Sequence, residues 1–349
     1  MIRVITSNRA VSLQVVAMDI VKAGLELKLD IQWFDRLFTP HEIMLAGDSA
    51  IVVMPVDPLY ATPYILLARD LKRGGVRSVY YGTVEGKLNR RHVMNWMKEV
   101  DFVAVSNYVR DKLLEAGLRV VDVVHHGVDL KQAEQARRMR GAGLKYMQEH
   151  GLDPSKHTIV LTIANSHPRK GLAWYDKVVS IVEERDPSIK FLVVTEDRGL
   201  FYFSRHSNLV VTSDFGRLPR LTILSLIANS HILAMPSLAE GFGLPALEAM
   251  ALGTPCIHAE LPPLMEFSTC FTVPVTGVSY LDKTEAGVSG IIFESHLWDV
   301  DEFASRILEV ASLVRNNREQ LEEWRAKSIE AAGKLDIHET YPRLLKYVS

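Results

Sequence analysis

Two glutamates eight positions apart, Glu240 and Glu248, flank a glycine pair and a proline in PSLAEGFGLPALEAMALGTPC, residues 236–256. As an acid/base dyad they would have to share a proton or flank one bond; as acceptors they would hold vicinal hydroxyls. The local pattern decides between these roles. SHILAMPS reads as an apolar strand ending in Pro-Ser, and LPALEAMALG reads as a helix with Pro245 at its start and Gly253 just past its end. LAEGFG is then a strand-to-helix turn, the place where open parallel sheets bind ligands. Gly241 and Gly243 admit close backbone approach, and the amides of Phe242, Gly243 and Leu244 face outward with a helix dipole behind them, an arrangement that favours phosphate or diphosphate. Glu240 lies in the turn and Glu248 one turn inside the helix, so both reach one cleft without sharing a proton. Phosphate on the amides and hydroxyls on the carboxylates together describe a nucleotide sugar.

The elements that must position this turn follow from the hydrophobic rhythm. IRVIT, AIVVMP, RSVYYG, DFVAVS and RVVDVVHHG are short β-branched runs separated by amphipathic stretches, which predicts βαβ units and a parallel sheet. After a charged helical segment a second series follows: TIVLTIA, IKFLVVT, NLVVTSD, SHILAMP, TPCIHA, FTVPV and SGIIFES. Two sheets, hence two Rossmann-like α/β domains, accommodate a dozen strands better than one. The expected division is residues 1–128, residues 129–333 and a terminal helix at 334–349. That helix has Tyr341, Leu344, Leu345 and Tyr347 at helical spacing and needs a surface to dock on, on either domain.

A chain of 349 residues with 48% hydrophobic and 23% charged content is long enough for two cores. The formal charge of −2 argues against nucleic acid as a partner. Charge is uneven: from Arg69 to Glu149 sixteen Lys and Arg stand against ten Asp and Glu, a local surplus that suits an anionic acceptor or peripheral contact with a membrane surface. Cys256 and Cys270 read as unpaired core thiols, since no metal-ligand spacing surrounds them, which makes a reducing, cytoplasmic setting the expectation. No signal-peptide pattern opens the sequence and no apolar run is long enough to span a bilayer.

The 236–256 stretch resembles the Glu-x7-Glu signature of retaining glycosyltransferases of the GT-B fold, specifically their large family 4, at nearly every position. VDFVAVSNYVRDKLLEAGL, VHHGVDL (Val124–Leu130), PRKGL (Pro168–Leu172), GRLPR (Gly216–Arg220) and Glu266 in LPPLMEF follow in the order that family shows, so the resemblance covers about residues 80–310. It implies two Rossmann-like domains facing a deep cleft, with a terminal helix that can cross back to the first. It also implies Arg169 and Lys170 on the donor diphosphate, with Asn165 beside them, Glu240 on the sugar and Glu248 on the ribose. His126 falls at the domain crossover. Three positions depart from the family. TIANSHPRKG lacks the Gly-Arg that usually precedes the Lys; ITSNRAVSLQ, with Ser7, Asn8 and Arg9, replaces a Gly-rich loop; and VYYGTVEGKL places Thr83 and Glu85 where a His often stands, Glu85 being suited to accept from a sugar or acceptor hydroxyl.

The activity implied is transfer of a hexose from a UDP- or GDP-sugar to a carbohydrate, lipid-linked or small-molecule hydroxyl, with retention. The two cations and the helix N-terminus would offset the leaving diphosphate's charge without a metal. A same-fold epimerase or phosphorylase and a non-enzymatic nucleotide-sugar binder are the competing readings. A dinucleotide dehydrogenase is disfavoured, because no strand is followed by G-x-G-x-x-G.

Overall fold

The computed structural model describes residues 1–8, 11–284 and 287–349. Two six-stranded, wholly parallel sheets dominate it. The first comprises β1 (Ile2–Ile5), β2 (Ile31–Phe34), β3 (Ser49–Pro55), β4 (Ser78–Thr83), β6 (Phe102–Ala104) and β7 (Val120–Val123), in the order 2-1-3-4-6-7, while β5 (Gly86–Leu88) leaves it. The second comprises β8 (Thr158–Ile163), β9 (Ile189–Val194), β10 (Leu209–Thr212), β11 (Ile232–Met235), β12 (Cys256–Ala259) and β13 (Phe271–Val273), in the order 10-9-8-11-12-13. Strands covered by helices on both faces must be apolar throughout, and Ile51–Met54 and Phe191–Val194 are all fully buried.

The expected strand SGIIFES is not part of either parallel sheet. It lies in β15 (Gly287–Trp298), which pairs antiparallel with β14 (Val275–Thr284) on one side and with β5 of the first domain on the other. An apolar run reads the same in either setting, since only its partners differ. The helix Ile337–Leu345 buries Tyr341, Leu344 and Leu345 and packs against the helix Val11–Glu26 of the first domain. Tyr341 accepts a hydrogen bond from the Gly127 amide at 3.1 Å, and Ser49 donates to the Val348 carbonyl at 2.7 Å.

The two cysteines are not free thiols: Cys256 and Cys270 form a disulfide. Register explains the pairing. β12 and β13 are adjacent with Ile257 opposite Phe271, so the preceding residues of each strand also face one another, with Cα atoms 5.0 Å apart. The inference of a reducing compartment rested on unpaired thiols and falls with them. Among the described residues no helix is long and apolar enough to cross a membrane. Because the cysteines are 14 positions apart, replacing both by Ser should cost about 2–4 kcal/mol of stability. Chemical denaturation with and without reductant checks this, and unreduced, denatured wild-type protein should show no titratable thiol.

Candidate active site

The order of the second sheet reverses direction between β8 and β11, so the turns leaving these two neighbouring strands splay apart and leave a crevice at their carboxyl ends. The turn after β8 carries Arg169 and Lys170; the turn after β11 carries Glu240. The backbone binds them together, the Leu238 amide donating to the Arg169 carbonyl at 2.7 Å and the Arg169 guanidinium to the Ala239 carbonyl at 3.2 Å. From the facing sheet, Thr83 ends β4 and Glu85 lies just beyond it. A cavity of about 320 Å³ lies between, lined by residues of both domains including Glu85, His126, Asn165, Arg169, Lys170, Glu240–Leu244 and Glu248, a size suited to a small-molecule ligand.

Four charges, two of each sign, line the cavity together. Lys170 donates to Glu240, which also accepts from Ser237 Oγ at 2.7 Å; Arg169 lies 3.6 Å from Glu240 and 3.3 Å from Glu85. Each side chain keeps at most 15% of its exposure. Burial disfavours the Glu240 carboxylate, yet the charges of Lys170 and Arg169 outweigh it and hold the group below the usual carboxylate range. Burial, followed by Arg169, pushes the Lys170 ammonium down from its ordinary value. His167 caps the cation turn by accepting from the Arg169 amide at 3.2 Å; burial and the adjacent cations push its imidazole down to about 4, so it stays neutral.

The amides beyond Glu240 are available. Gly243 adopts φ 104°, a left-handed conformation, and starts the helix Leu244–Leu252 with no side-chain cap. Among the described residues no protein group accepts from the amides of Phe242, Gly243 or Leu244. Gly241 packs closely against the first domain: a Cβ there would lie 1.9 Å from Thr83 Oγ1, and its carbonyl accepts from Ser106 of the first domain at 2.9 Å. Phe242 stacks on Phe267 with centroids 4.6 Å apart and meets the His126 ring edge-on at 5.1 Å. His126 lies 2.9 Å from the Tyr81 hydroxyl, and burial pushes it down to about 3, which makes it a neutral part of the wall.

Glu248 also lines the cavity and, buried within its helix, is paired with Arg220 at 2.6 Å. Neither this pairing nor Asp19 was foreseen from sequence. Asp19 projects from the helix Val11–Glu26 of the first domain toward Arg220, Glu248, Asp129 and Lys22, and burial, only partly countered by Arg220, pushes its carboxyl up to about 7. The available signal was a single Asp, three residues before Lys22, in the middle of a mostly apolar helix. Asn165 borders the cavity and accepts from the His167 amide at 3.3 Å. Ser7 and Asn8 are not among the cavity's lining residues: Ser7 is buried at the end of β1, its carbonyl accepting from Gln14, and Asn8 is exposed. Arg9 lies outside the described residues. Glu266 does not point at the cavity. It caps the helix Asn107–Glu115 of the facing domain, accepting from the Asn107 and Tyr108 amides and from His125, each at 2.9 Å. The one Asp-x-Asp spacing in the sequence, Asp299 and Asp301, is a helix start: Asp299 accepts from the Glu302 amide and Asp301 pairs with Arg185.

Two parallel sheets with their carboxyl edges facing across a cleft, and a cationic turn at the switch point of one of them, define a GT-B type α/β protein. Solved structures share this fold along the whole chain. A glycosyltransferase from Rickettsia africae superposes with a TM-score of 0.70 at 14% identity, covering 99% of this chain and 97% of that one. Anabaena HepE, in complex with UDP and glucose, gives 0.66 at 12% identity, covering 99% and 98%. Residues 146–328 match the model of the group 1 glycosyl transferases, and the chain belongs to that family. An uncharacterized glycosyltransferase of Sulfolobus islandicus rod-shaped virus 1 is 24% identical over 308 residues, covering 86% of this chain and 88% of the relative. Glycogen synthase of Mycobacterium tuberculosis is 24% identical over 285 residues, covering 78% of this chain and 63% of the relative. The protein is a glycosyltransferase that takes its sugar from a nucleotide sugar.

The raised Asp19 value sets a pH dependence. Between about pH 4 and pH 7 the folded protein holds more protons at this carboxyl than the unfolded chain does, so this group's contribution to stability falls as pH rises through that window. Asp19→Asn should therefore gain stability relative to wild type on going from pH 5 to pH 8. Thermal midpoints of the two proteins across this range provide the check.

Proposed function

We propose that the chain is a retaining hexosyltransferase of the family 4 kind, using a UDP- or GDP-sugar and a hydroxyl acceptor of carbohydrate, lipid-linked or small-molecule type. The observation that carries this reading is the pairing of two buried cations, Arg169 and Lys170, with three unaccepted amides at Phe242–Leu244, on either side of Glu240. A diphosphate placed there meets a guanidinium fork, an ammonium and a helix N-terminus at once. Its sugar then reaches Glu240, and its ribose reaches Glu248 once Arg220 shares that carboxylate.

Glu240 and Glu248 both line the cavity but are paired with different cations, Lys170 and Arg220, which suits holders of hydroxyls and not a nucleophile with its acid. The reaction we propose is a same-face exchange. The bond from the anomeric carbon to the diphosphate oxygen breaks while the acceptor oxygen bonds to that carbon, and the acceptor proton passes to the departing diphosphate. Arg169, Lys170 and the amides stabilise the charge that develops on it, so no metal is required. Glu85, already 3.3 Å from Arg169, stands on the acceptor side and can accept from the incoming hydroxyl.

Nucleoside diphosphates should raise the melting temperature, since they bind the folded state alone. Glu240→Gln should keep the fold and lower transfer by about 10²–10³-fold, the scale of losing one group tuned to the transition state. Nucleoside diphosphate release reports turnover, and the anomeric proton coupling of the product reports retention. Wild-type rates in Glu240→Gln, or nucleotide binding without turnover across a broad acceptor panel, would overturn the assignment, the latter in favour of a binding protein.

A further inference from the structure

The strand β15 touches the three turns that bear Glu85, Arg169 with Lys170, and Glu240. Its residues Ile291, Ile292 and Phe293 pair with Leu88, Lys87 and Gly86 of β5, so an extension of the second domain completes a sheet with the first. One residue further, the Glu294 amide donates to the Glu85 carbonyl at 3.2 Å; two further again, the His296 amide donates to the Leu238 carbonyl at 2.7 Å, just ahead of Glu240. The Phe293 ring lies 4.9 Å from the ring of His167, the residue that caps the Arg169–Lys170 turn. One strand thus joins the acceptor-side carboxylate, the donor-side carboxylate and the two cations.

The Glu294 side chain shows how tightly that strand is held. It is 5% exposed, yet it is neutralised wholly by the opposite domain: Tyr108 donates to it at 2.8 Å, Lys112 pairs with it at 2.9 Å and Lys87 lies 3.6 Å away. A buried carboxylate whose partners all lie across a domain boundary resists any movement that separates the domains. Gly86 reinforces the arrangement, because a Cβ there would lie 2.1 Å from the Ile292 carbonyl oxygen and 2.7 Å from the Glu294 amide nitrogen, both backbone atoms. The residue beside Glu85 is therefore required to be glycine for the strands to pair.

Resting on the transfer reaction proposed above, we infer that Glu294 is a positioning residue. Through the β14–β15 hairpin it clasps the two domains, fixes Glu85 against Arg169 and keeps water out of the reacting centre. Without the clasp the acceptor side of the cleft loosens while the donor side, built from β8 and β11, stays intact. Loss of Glu294 should consequently weaken acceptor binding and divert the activated sugar to water, with nucleotide binding unchanged.

The test compares full-length wild type, Glu294→Gln and Gly86→Ala. Both variants should show a wider separation of the domains by small-angle scattering and by a dye pair placed across the cleft. Glu294→Gln should raise the acceptor KM and the ratio of donor hydrolysis to transfer by about tenfold each, as loss of one charged buried hydrogen bond implies. The thermal shift given by nucleoside diphosphate should match wild type. If Gly86→Ala does not fold, Glu294→Gln alone carries the comparison. Unchanged domain separation together with an unchanged hydrolysis ratio overturns the clasp. A wild type that neither binds nor consumes nucleotide sugar overturns the proposed reaction instead, and the scattering measurement then still decides whether the clasp exists.

Discussion

Two positive and two negative charges buried together at the meeting of two sheets are the constraint around which this molecule is organised. Glu85, Arg169, Lys170 and Glu240 come from three separate turns on two domains. None can be left unpaired away from water without a cost of several kcal/mol. The set is neutral as a whole, so it can be sealed from solvent before any ligand arrives. It also contains the two cations that an anion would engage, held in place by partners they can share. Preorganisation of this kind places the reorganisation energy in folding and not in the reacting step.

Keeping such a set assembled demands that the domains be held at one separation. The boundary is accordingly rich in polar contacts that cross it. Ser106 bonds to Gly241, Glu266 closes the open end of the helix Asn107–Glu115, and Glu294 is satisfied by Tyr108 and Lys112. The Glu266 contact uses the helix's own orphan amides and dipole, so it depends on direction as well as distance. Phe242, stacked on Phe267 and edge-on to the neutral His126, packs beside these contacts.

What could be read in advance was what is local. A strand, a glycine turn and a proline-started helix within 20 residues carry their own punctuation, so the turn at Glu240 and the helix bearing Glu248 were legible as neighbours, and the resemblance to a known family added the cation turn at Arg169; all three line one cavity. The parallel sheets were legible because double burial makes their strands uniformly apolar. Partnerships across the chain were not. The Cys256–Cys270 bond depends on the register of β12 against β13, and the departure of SGIIFES into a hairpin depends on what lies beside it. The Arg220–Glu248 pair follows from how two helices of the second domain pack together, and the position of Asp19 from how the domains face each other, neither of which any short spacing encodes. The first turn is where reading and structure separate most: Ser7 is buried and Asn8 faces solvent, with the cavity wall made by the helix that follows.

The helix Ile337–Leu345 has a bearing on how the protein is made. Its apolar face covers the helix Val11–Glu26, and Val128 of the crossover pairs with Asp336 just ahead of it. During synthesis the first domain emerges early, yet the surface around the Val11–Glu26 helix waits through the whole second domain for its cover. At ribosomal rates of about 5–20 residues per second, some 200 intervening residues leave that surface open for roughly 10–40 s. The domain made first is thus among the last parts of the molecule to be finished, its apolar flank covered only when the terminal helix docks.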